Sequence, residues 1–161
     1  RQRGVSALAA DPVRDRLLVL ASAPSPRIFA LAPDGRPLRA VALQVGNADL
    51  AVTGSNIWLT GSGPRGAVVG LLDPATLRPG RNLAIAGQLG RGALLAAVGD
   101  QSLWLRRPDA NRDVLWCTDA TSGPIASWWT MPGTVASGNG VAFVANGAVV
   151  STLALFRGCS G

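Results

Sequence analysis

The stretch Asn56-Ile57-Trp58-Leu59-Thr60-Gly61 is followed, after a loop, by Ala67-Val68-Val69-Gly70-Leu71-Leu72-Asp73-Pro74-Ala75-Thr76-Leu77. Each half contains a short apolar run of the length of a strand, and the Asp-Pro pair after the second run favours a turn. Imperfect copies of this pattern recur along the whole chain. The stretch is therefore interpreted as one unit of a repeat protein.

The large apolar residue of the second strand in each unit sets the period of the repeat. Leu18, Trp58, Trp104 and Phe143 occupy this position, at intervals of about 40 residues. The first three units each offer four short strands. A period of this length with four strands per unit predicts an all-β fold, a β-propeller of four-stranded antiparallel blades, with an ordinary β-sandwich as the alternative. One domain or part-propeller over residues 1–161 is expected, with blades at approximately 5–46, 47–91, 92–132 and 133–161.

The fourth unit is shorter than the others and offers only three clear strands, so the chain is expected to hold three and a half to four blades. A propeller closes when its last blade pairs with strand material from the first, which removes exposed edges. Three outcomes stay open: closure within one chain, completion by other segments of a parent protein, and self-association, in which two copies would give about eight blades. Self-association into a homo-oligomer is the favoured interpretation.

The composition excludes several classes of function. Hydrophobic residues make up 48% of the chain and charged residues 15%, which indicates a folded core. There is no His, so a His-based general base, a catalytic triad and a His-ligated metal are excluded. The net charge is +6, but the arginines are dispersed, so nucleic acid is not predicted as a partner. No apolar run reaches the length of a membrane helix, so membrane insertion by this segment is not predicted.

Cys117 and Cys159 are the only two cysteines, and neither lies in a CxxC pair. A disulfide between them is the favoured interpretation, with two unpaired buried thiols as the alternative. The bond would tie the short fourth blade to the third and would indicate a location outside the cytoplasm.

The repeat resembles a known family. Ile57-Trp58-Leu59-Thr60, the later Asp73-Pro74-Ala75-Thr76, and Val141-Ala142-Phe143-Val144-Ala145-Asn146 are similar to the repeats of YVTN-type propellers, which are related to NHL repeats. The resemblance implies a bacterial extracytoplasmic protein or the sensor domain of a membrane receptor such as a Ser/Thr kinase. Some members are enzymes, such as lactonases. The chain departs from the family in length, because family members usually have six or seven blades.

Tryptophans are the best candidates for recognition. Trp58 and Trp104 occupy equivalent repeat positions and are expected to pack between blades. Trp128 and Trp129 are adjacent on a predicted outer strand, so one should lie on each face. We expect one of these two, together with Trp116, to contact a ligand or protein partner, simple burial being the alternative.

Carboxylates give weaker signals. Asp49 stands at the entry of an innermost strand, where propellers often bind ligands at the end of the central channel. Six other aspartates fall in predicted turns, where Asp usually caps its own backbone: Asp11, Asp34, Asp73, Asp100, Asp109 and Asp119. No catalytic residue, metal site or cofactor is predicted.

The sequence thus predicts a non-enzymatic, extracytoplasmic binding or sensing module that recognises a protein or a small ligand. Two alternatives remain: a propeller enzyme of hydrolase or lyase type that uses Asp and a bound metal, and a purely structural self-assembling segment.

Overall fold

The computed structural model describes the backbone of residues 4–22, 25–63, 66–83, 95–98, 102–108, 113–119, 123–130, 134–138, 141–146 and 149–153. Side chains are described for residues 4–22, 25–46, 48–61 and 69–80, which cover most of blades 1 and 2.

Fifteen strands are described, together with one short 3-10 helix, η1. Blade 1 contains β1 (Val5–Asp11), η1 (Pro12–Arg14), β2 (Arg16–Ala21), β3 (Arg27–Leu31) and β4 (Pro37–Ala42). Blade 2 contains β5 (Gly46–Thr53), β6 (Asn56–Gly63), β7 (Gly66–Leu72) and β8 (Pro79–Leu83). Blade 3 contains β9 (Leu95–Val98), β10 (Ser102–Pro108), β11 (Asp113–Asp119) and β12 (Gly123–Thr130). Blade 4 contains β13 (Thr134–Gly138), β14 (Val141–Asn146) and β15 (Val149–Leu153).

Each blade is an antiparallel sheet in which every strand pairs with the next one in the sequence. The orders are β1-β2-β3-β4, β5-β6-β7-β8, β9-β10-β11-β12 and β13-β14-β15. The predicted all-β architecture of four-stranded blades is therefore confirmed. Residues 154–161, in which a fourth strand of blade 4 could begin at Leu155-Phe156, lie outside the described residues.

The first strands of the blades lie side by side in a row. β5 contacts β1 on one side and β9 on the other, and β9 also contacts β13. Among the described strands, no comparable contact joins β13 back to β1. Over the described strands, the four blades therefore follow one another in an arc.

A hydrophobic core fills the space between blades 1 and 2. Because side chains alternate across a strand, each blade presents one set of residues to its neighbour. Blade 1 contributes Leu18, Leu20, Ile28 and Ala30, and blade 2 contributes Leu50, Ile57, Leu59 and Leu72, all of them buried. Full burial of one such Leu or Ile side chain contributes roughly 1.5 to 3 kcal/mol.

The turns follow the sequence signals closely. The Pro33-Asp34-Gly35 turn is closed by a hydrogen bond of 2.9 Å from the Gly35 N–H to the Ala32 carbonyl, and Gly35 has a φ of 84°. The Asp34 carboxylate accepts a bond of 2.9 Å from the Arg36 N–H, as expected of a turn aspartate.

One strand begins earlier than its apolar residues indicate. The pattern predicts Asn82–Ile85, whereas β8 spans Pro79–Leu83. The reason is the turn before it, in which the Asp73 N–H donates to the Arg78 carbonyl at 2.9 Å. This bond returns the chain directly onto β7, so pairing starts at the next residue.

None of the described residues belongs to an α-helix of the length and apolarity that crossing a membrane requires.

Candidate functional site

A buried cluster of charged side chains lies at the end of blade 1 where β1 turns into β2. The Asp11 carboxylate is fully buried and accepts a hydrogen bond of 2.8 Å from Nε of Arg16, whose side chain is 9% exposed. A second guanidinium contacts it, with Nη1 of Arg14 lying 3.3 Å from Oδ1 of Asp11. Two arginines thus neutralise one buried carboxylate, which is the arrangement a buried charge requires.

The local chain path explains why these three side chains meet. Asp11 is the last residue of β1, Pro12 starts η1, and Asp15 has a φ of 46°, in the left-handed region. This short turn reverses the chain within a few residues. It therefore brings both arginines back beside the end of β1.

The same two arginines also bind the backbone of blade 2. Arg16 donates from Nη2 to the Pro74 carbonyl at 2.6 Å, and Arg14 donates from Nη1 to the Ser55 carbonyl at 3.4 Å. These carbonyls lie in the β7–β8 and β5–β6 turns of blade 2. The cluster of Asp11, Arg14 and Arg16, which we term the latch, therefore joins two blades at one end of the arc. Because the Asp11 carboxylate is already paired with two guanidinium groups, we assign the latch a structural role.

Blade 2 has an uncharged counterpart of the latch. Thr53 ends β5 and pairs with Asn56, just as Asp11 ends β1 and pairs with Arg16. The buried Thr53 hydroxyl accepts a hydrogen bond of 2.7 Å from Nε1 of Trp58, which is itself fully buried. The predicted burial of Trp58 is confirmed, and its one polar atom has a partner.

Asp73 has the structural role that its sequence context predicts. Its Oδ1 accepts bonds from the Thr76 N–H at 2.6 Å and from the Thr76 hydroxyl at 2.7 Å. These two hydrogen bonds favour the ionised form and hold the pKa of the Asp73 carboxyl below its usual value. The turn is closed by Leu77, whose φ is 59° and whose N–H donates to the Asp73 carbonyl at 2.7 Å.

Asp49 lies on β5, an innermost strand, as predicted. It pairs with Thr60 across the sheet and is partly buried. Its Oδ1 accepts a bond of 2.8 Å from the N–H of the next residue, Leu50. On β1, the innermost strand of blade 1, Ser6 donates its hydroxyl to the Leu20 carbonyl at 3.2 Å. Within the described part of the chain, no group of three or more acidic or cysteine side chains is placed to hold a metal ion.

The candidate tryptophans lie on the two outer strands of blade 3. In the register of the sheet, Trp128 pairs with Leu115, Trp129 with Val114, and Trp116 with Ser127. Alternation therefore puts Trp116 and Trp129 at positions of one face and Trp128 at a position of the other. The structure brings these three residues onto adjacent strands and keeps Asp49 apart, on blade 2.

The disulfide prediction involves residues that the structure describes only in part. Cys117 lies on β11, opposite Trp104 of β10. Cys159 lies outside the described residues. The bond stays a prediction.

Comparison of the backbone with solved structures identifies proteins of similar fold. BamB from Moraxella catarrhalis superimposes with a TM-score of 0.60 at 13% identity, over 89% of this chain and 47% of that one. Nidogen in its complex with laminin gives a TM-score of 0.68 at 15% identity, over 94% of this chain and 60% of that one. The Dos1 propeller gives a TM-score of 0.62 at 10% identity, over 87% of this chain and 41% of that one. These neighbours are β-propellers.

The fold is a β-propeller. The chain spans between 41% and 60% of the length of these three proteins. No protein-family model and no curated protein matches the sequence. The likeness to the solved structures is therefore one of fold.

The latch was missed by sequence reasoning. Asp11 was expected to cap its own turn, but it makes no side-chain capping hydrogen bond there and pairs with two arginines instead. The available signal was one carboxylate followed by arginines three and five positions later, around a proline turn. Such a spacing predicts ion pairing across a tight reversal.

Proposed function

We propose that this chain is part of a non-enzymatic, extracytoplasmic β-propeller module that binds a protein or small ligand through the outer strands of blade 3. The observation that carries the proposal is the position of Trp116, Trp128 and Trp129 on β11 and β12. β12 is the outermost strand of its sheet, next to β11. Tryptophan supplies a large apolar surface with one hydrogen-bond donor and is enriched among residues that dominate binding energy.

The aspartates of the described blades support a binding role over catalysis. Asp11 is neutralised by arginines and Asp73 is held by its own turn, so both carboxylates serve the fold. A hydrolase or lyase of the Asp-and-metal type would need several carboxylates at one end of the channel. The nidogen–laminin complex supports a protein as the ligand, since it contains a propeller neighbour assembled with another protein.

The binding proposal is tested with an unbiased peptide phage library and a glycan array, both screened against the 161-residue chain. For a selected ligand, Trp128→Ala or Trp129→Ala should weaken binding by about 30-fold, the effect of losing a residue worth about 2 kcal/mol. Arg36→Ala, in an exposed turn of blade 1, is the control and should leave binding unchanged. Selected ligands that bind both tryptophan variants as tightly as the unmodified chain would refute the site.

The extracytoplasmic location depends on the Cys117–Cys159 bond. Alkylation of the unfolded chain should modify both thiols only after reduction, with a corresponding change in mass. Two thiols that react before any reductant is added, in protein isolated without one, would remove this support.

A further inference from the structure

The outermost strand of blade 1, β4, has an exposed edge. Among the described strands it pairs only with β3, at the end of the order β1-β2-β3-β4. All of its residues are exposed except Val41, which is partly buried. The backbone of an antiparallel strand directs alternate residues towards its neighbour and away from it. We term the outward-directed backbone of this strand the β4 edge.

One hydrogen bond identifies the residues that form the β4 edge. The Leu43 N–H donates to the Pro26 carbonyl at 2.8 Å, so Leu43 directs its backbone towards β3. In an antiparallel sheet, hydrogen-bonded pairs alternate with pairs that are not hydrogen-bonded. Val41 therefore bonds to β3 as well, whereas Ala40 and Ala42 direct their N–H and C=O groups outward. Among the described residues, no backbone group beyond β3 pairs with these two alanines.

Two arginines at this end of the sheet have no ion-pair or hydrogen-bond partner within the described part of the chain. Arg39 lies on β4 itself, and Arg27 of β3 pairs in register with Ala42. Both arginines are exposed. The other arginines of blade 1 each pair with an aspartate: Arg14, Arg16 and Arg36. Unpaired positive charge therefore lies beside the β4 edge.

This charge favours one kind of occupant. An exposed edge pairs with a further strand unless charge or proline opposes the pairing. A second copy of β4 would bring a second Arg39 to the same edge, in a chain whose net charge is already +6. Like charges on adjacent strands are destabilising, whereas opposite charges stabilise the pair. An acidic strand is therefore favoured over a second copy of this chain.

The two faces of β4 determine the side-chain pattern of that strand. On the face that is directed away from blade 2, Val19, Phe29 and Ala40 form one row in register. An apolar residue opposite Ala40 would extend this row. The next residue of the added strand would lie opposite Arg39, on the other face, because side chains alternate. The matching segment therefore alternates apolar and acidic residues.

We propose that the β4 edge binds an extended acidic segment of a partner protein by antiparallel strand addition. The segment pairs its backbone with Ala40 and Ala42 and places an Asp or Glu beside Arg39. In this mode of recognition, main-chain hydrogen bonds supply affinity and alternate side chains supply specificity. The binding does not depend on the tryptophan site proposed above for blade 3.

Amide hydrogen exchange followed by NMR tests the proposal with an acetylated peptide of alternating Val and Asp. At saturation, exchange at Ala40 and Ala42 should slow at least about 10-fold, because their N–H groups become hydrogen-bonded. Exchange at Val41, whose N–H already bonds to β3, should not change. The control is the same peptide N-methylated at every Val, which lacks the N–H groups that would face the edge. It should bind at least about 10-fold more weakly.

Protein variants test the charge. Arg39→Glu should weaken binding of the Val-Asp peptide about 10-fold, because a like-charge pair replaces an opposite-charge pair. Arg78→Glu is the matched control, because this exposed residue of blade 2 lies off the β4 edge and its replacement changes the net charge equally. It should change the affinity by less than about 2-fold.

The peptide comparison decides the question even if Arg39→Glu fails to fold. Unchanged exchange at Ala40 and Ala42, or equal binding of the N-methylated peptide, would overturn the proposal. Equal weakening by Arg39→Glu and Arg78→Glu would show attraction to the net charge alone and would overturn it too. Protection of both amides that rises with protein concentration in the absence of peptide would identify a second copy as the occupant, against the proposal.

Discussion

Removing the buried carboxylate of the latch is the most direct test of how blades 1 and 2 are held together. In Asp11→Ala, the Arg16 side chain, which is 9% exposed in the unmodified protein, loses the carboxylate and retains the Pro74 carbonyl as a hydrogen-bond partner. Breaking a buried ion pair by removing one partner typically costs 3 to 5 kcal/mol, because a charge is left uncompensated. We expect a loss of about 3 kcal/mol in the free energy of unfolding, since Arg14 retains access to solvent.

The chain offers a matched surface pair as the control. Nε of Arg36 lies 3.8 Å from Oδ2 of Asp34, and the side chains of Asp34 and Arg36 are 68% and 67% exposed. An exposed pair of this kind contributes about 0 to 1 kcal/mol, and the exposed hydrogen bond from the Arg36 N–H to the Asp34 carboxylate contributes about 0.5 to 1 kcal/mol. Asp34→Ala should therefore lower the free energy of unfolding by at most about 2 kcal/mol.

The assay is urea unfolding followed by tryptophan fluorescence, with the slope of the transition checked for constancy. Arg16→Leu and the double variant with Asp11→Ala complete a thermodynamic cycle. Because the double variant leaves no unpaired charge between these two positions, its loss should fall short of the sum of the single losses by about 2 kcal/mol. If Asp11→Ala is no more destabilising than Asp34→Ala, the latch does not hold the blades together.

Three further predictions concern blade 2 and its turns. Thr53→Val should cost about 1 to 3 kcal/mol in urea unfolding, because the buried indole N–H of Trp58 loses its acceptor; an unchanged midpoint would contradict this. Gly61→Ala should destabilise the chain by about 1 to 3 kcal/mol, since a Cβ there would lie 2.9 Å from a backbone oxygen, whereas Gly4→Ala, with its nearest atom at 3.7 Å, should be neutral within about 0.5 kcal/mol. Because the pKa of Asp73 is lowered in the fold, its hydrogen bonds stabilise the fold at pH values above the unfolded pKa of 3.8, and this stabilisation is lost as the pH falls through the folded pKa. Asp73→Asn should therefore lower the urea midpoint at pH 7 and make the midpoint depend less on pH below about 4. If the variant and the unmodified protein lose stability identically in acid, the Asp73 carboxylate does not stabilise the turn.

The strands of the described blades could be predicted from the sequence because apolar runs and turn residues report local structure directly. The apolar runs in residues 16–21 and 27–31 coincide with β2 and β3. Asp34 and Asp73 were assigned to turns, and both carboxylates accept backbone N–H bonds there. In these cases the decisive interactions lie within a few residues along the chain.

The latch could not be predicted because its partners are distant in the sequence. Arg16 binds the carbonyl of Pro74, in the next blade, and Arg14 binds that of Ser55. Backbone carbonyls carry no residue-type signal, so no pattern of side chains marks them as acceptors. The repeat period predicts that two blades adjoin. It does not predict which arginine side chain binds the backbone of which turn in the next blade.

The apolar residues on the side of blade 1 that faces away from blade 2, by contrast, have a signature in the sequence. A strand with one solvated face alternates apolar and polar residues, whereas one buried on both faces is apolar throughout. In β2, Leu17-Leu18-Val19-Leu20 is continuous, and half of these residues face away from blade 2. Continuous apolar strands are expected in an interior blade, and blade 1 has them although no described blade precedes it. Blade 1 therefore has apolar residues on both faces: Leu18 and Leu20 are buried towards blade 2, and Leu17 on the other face is 38% exposed.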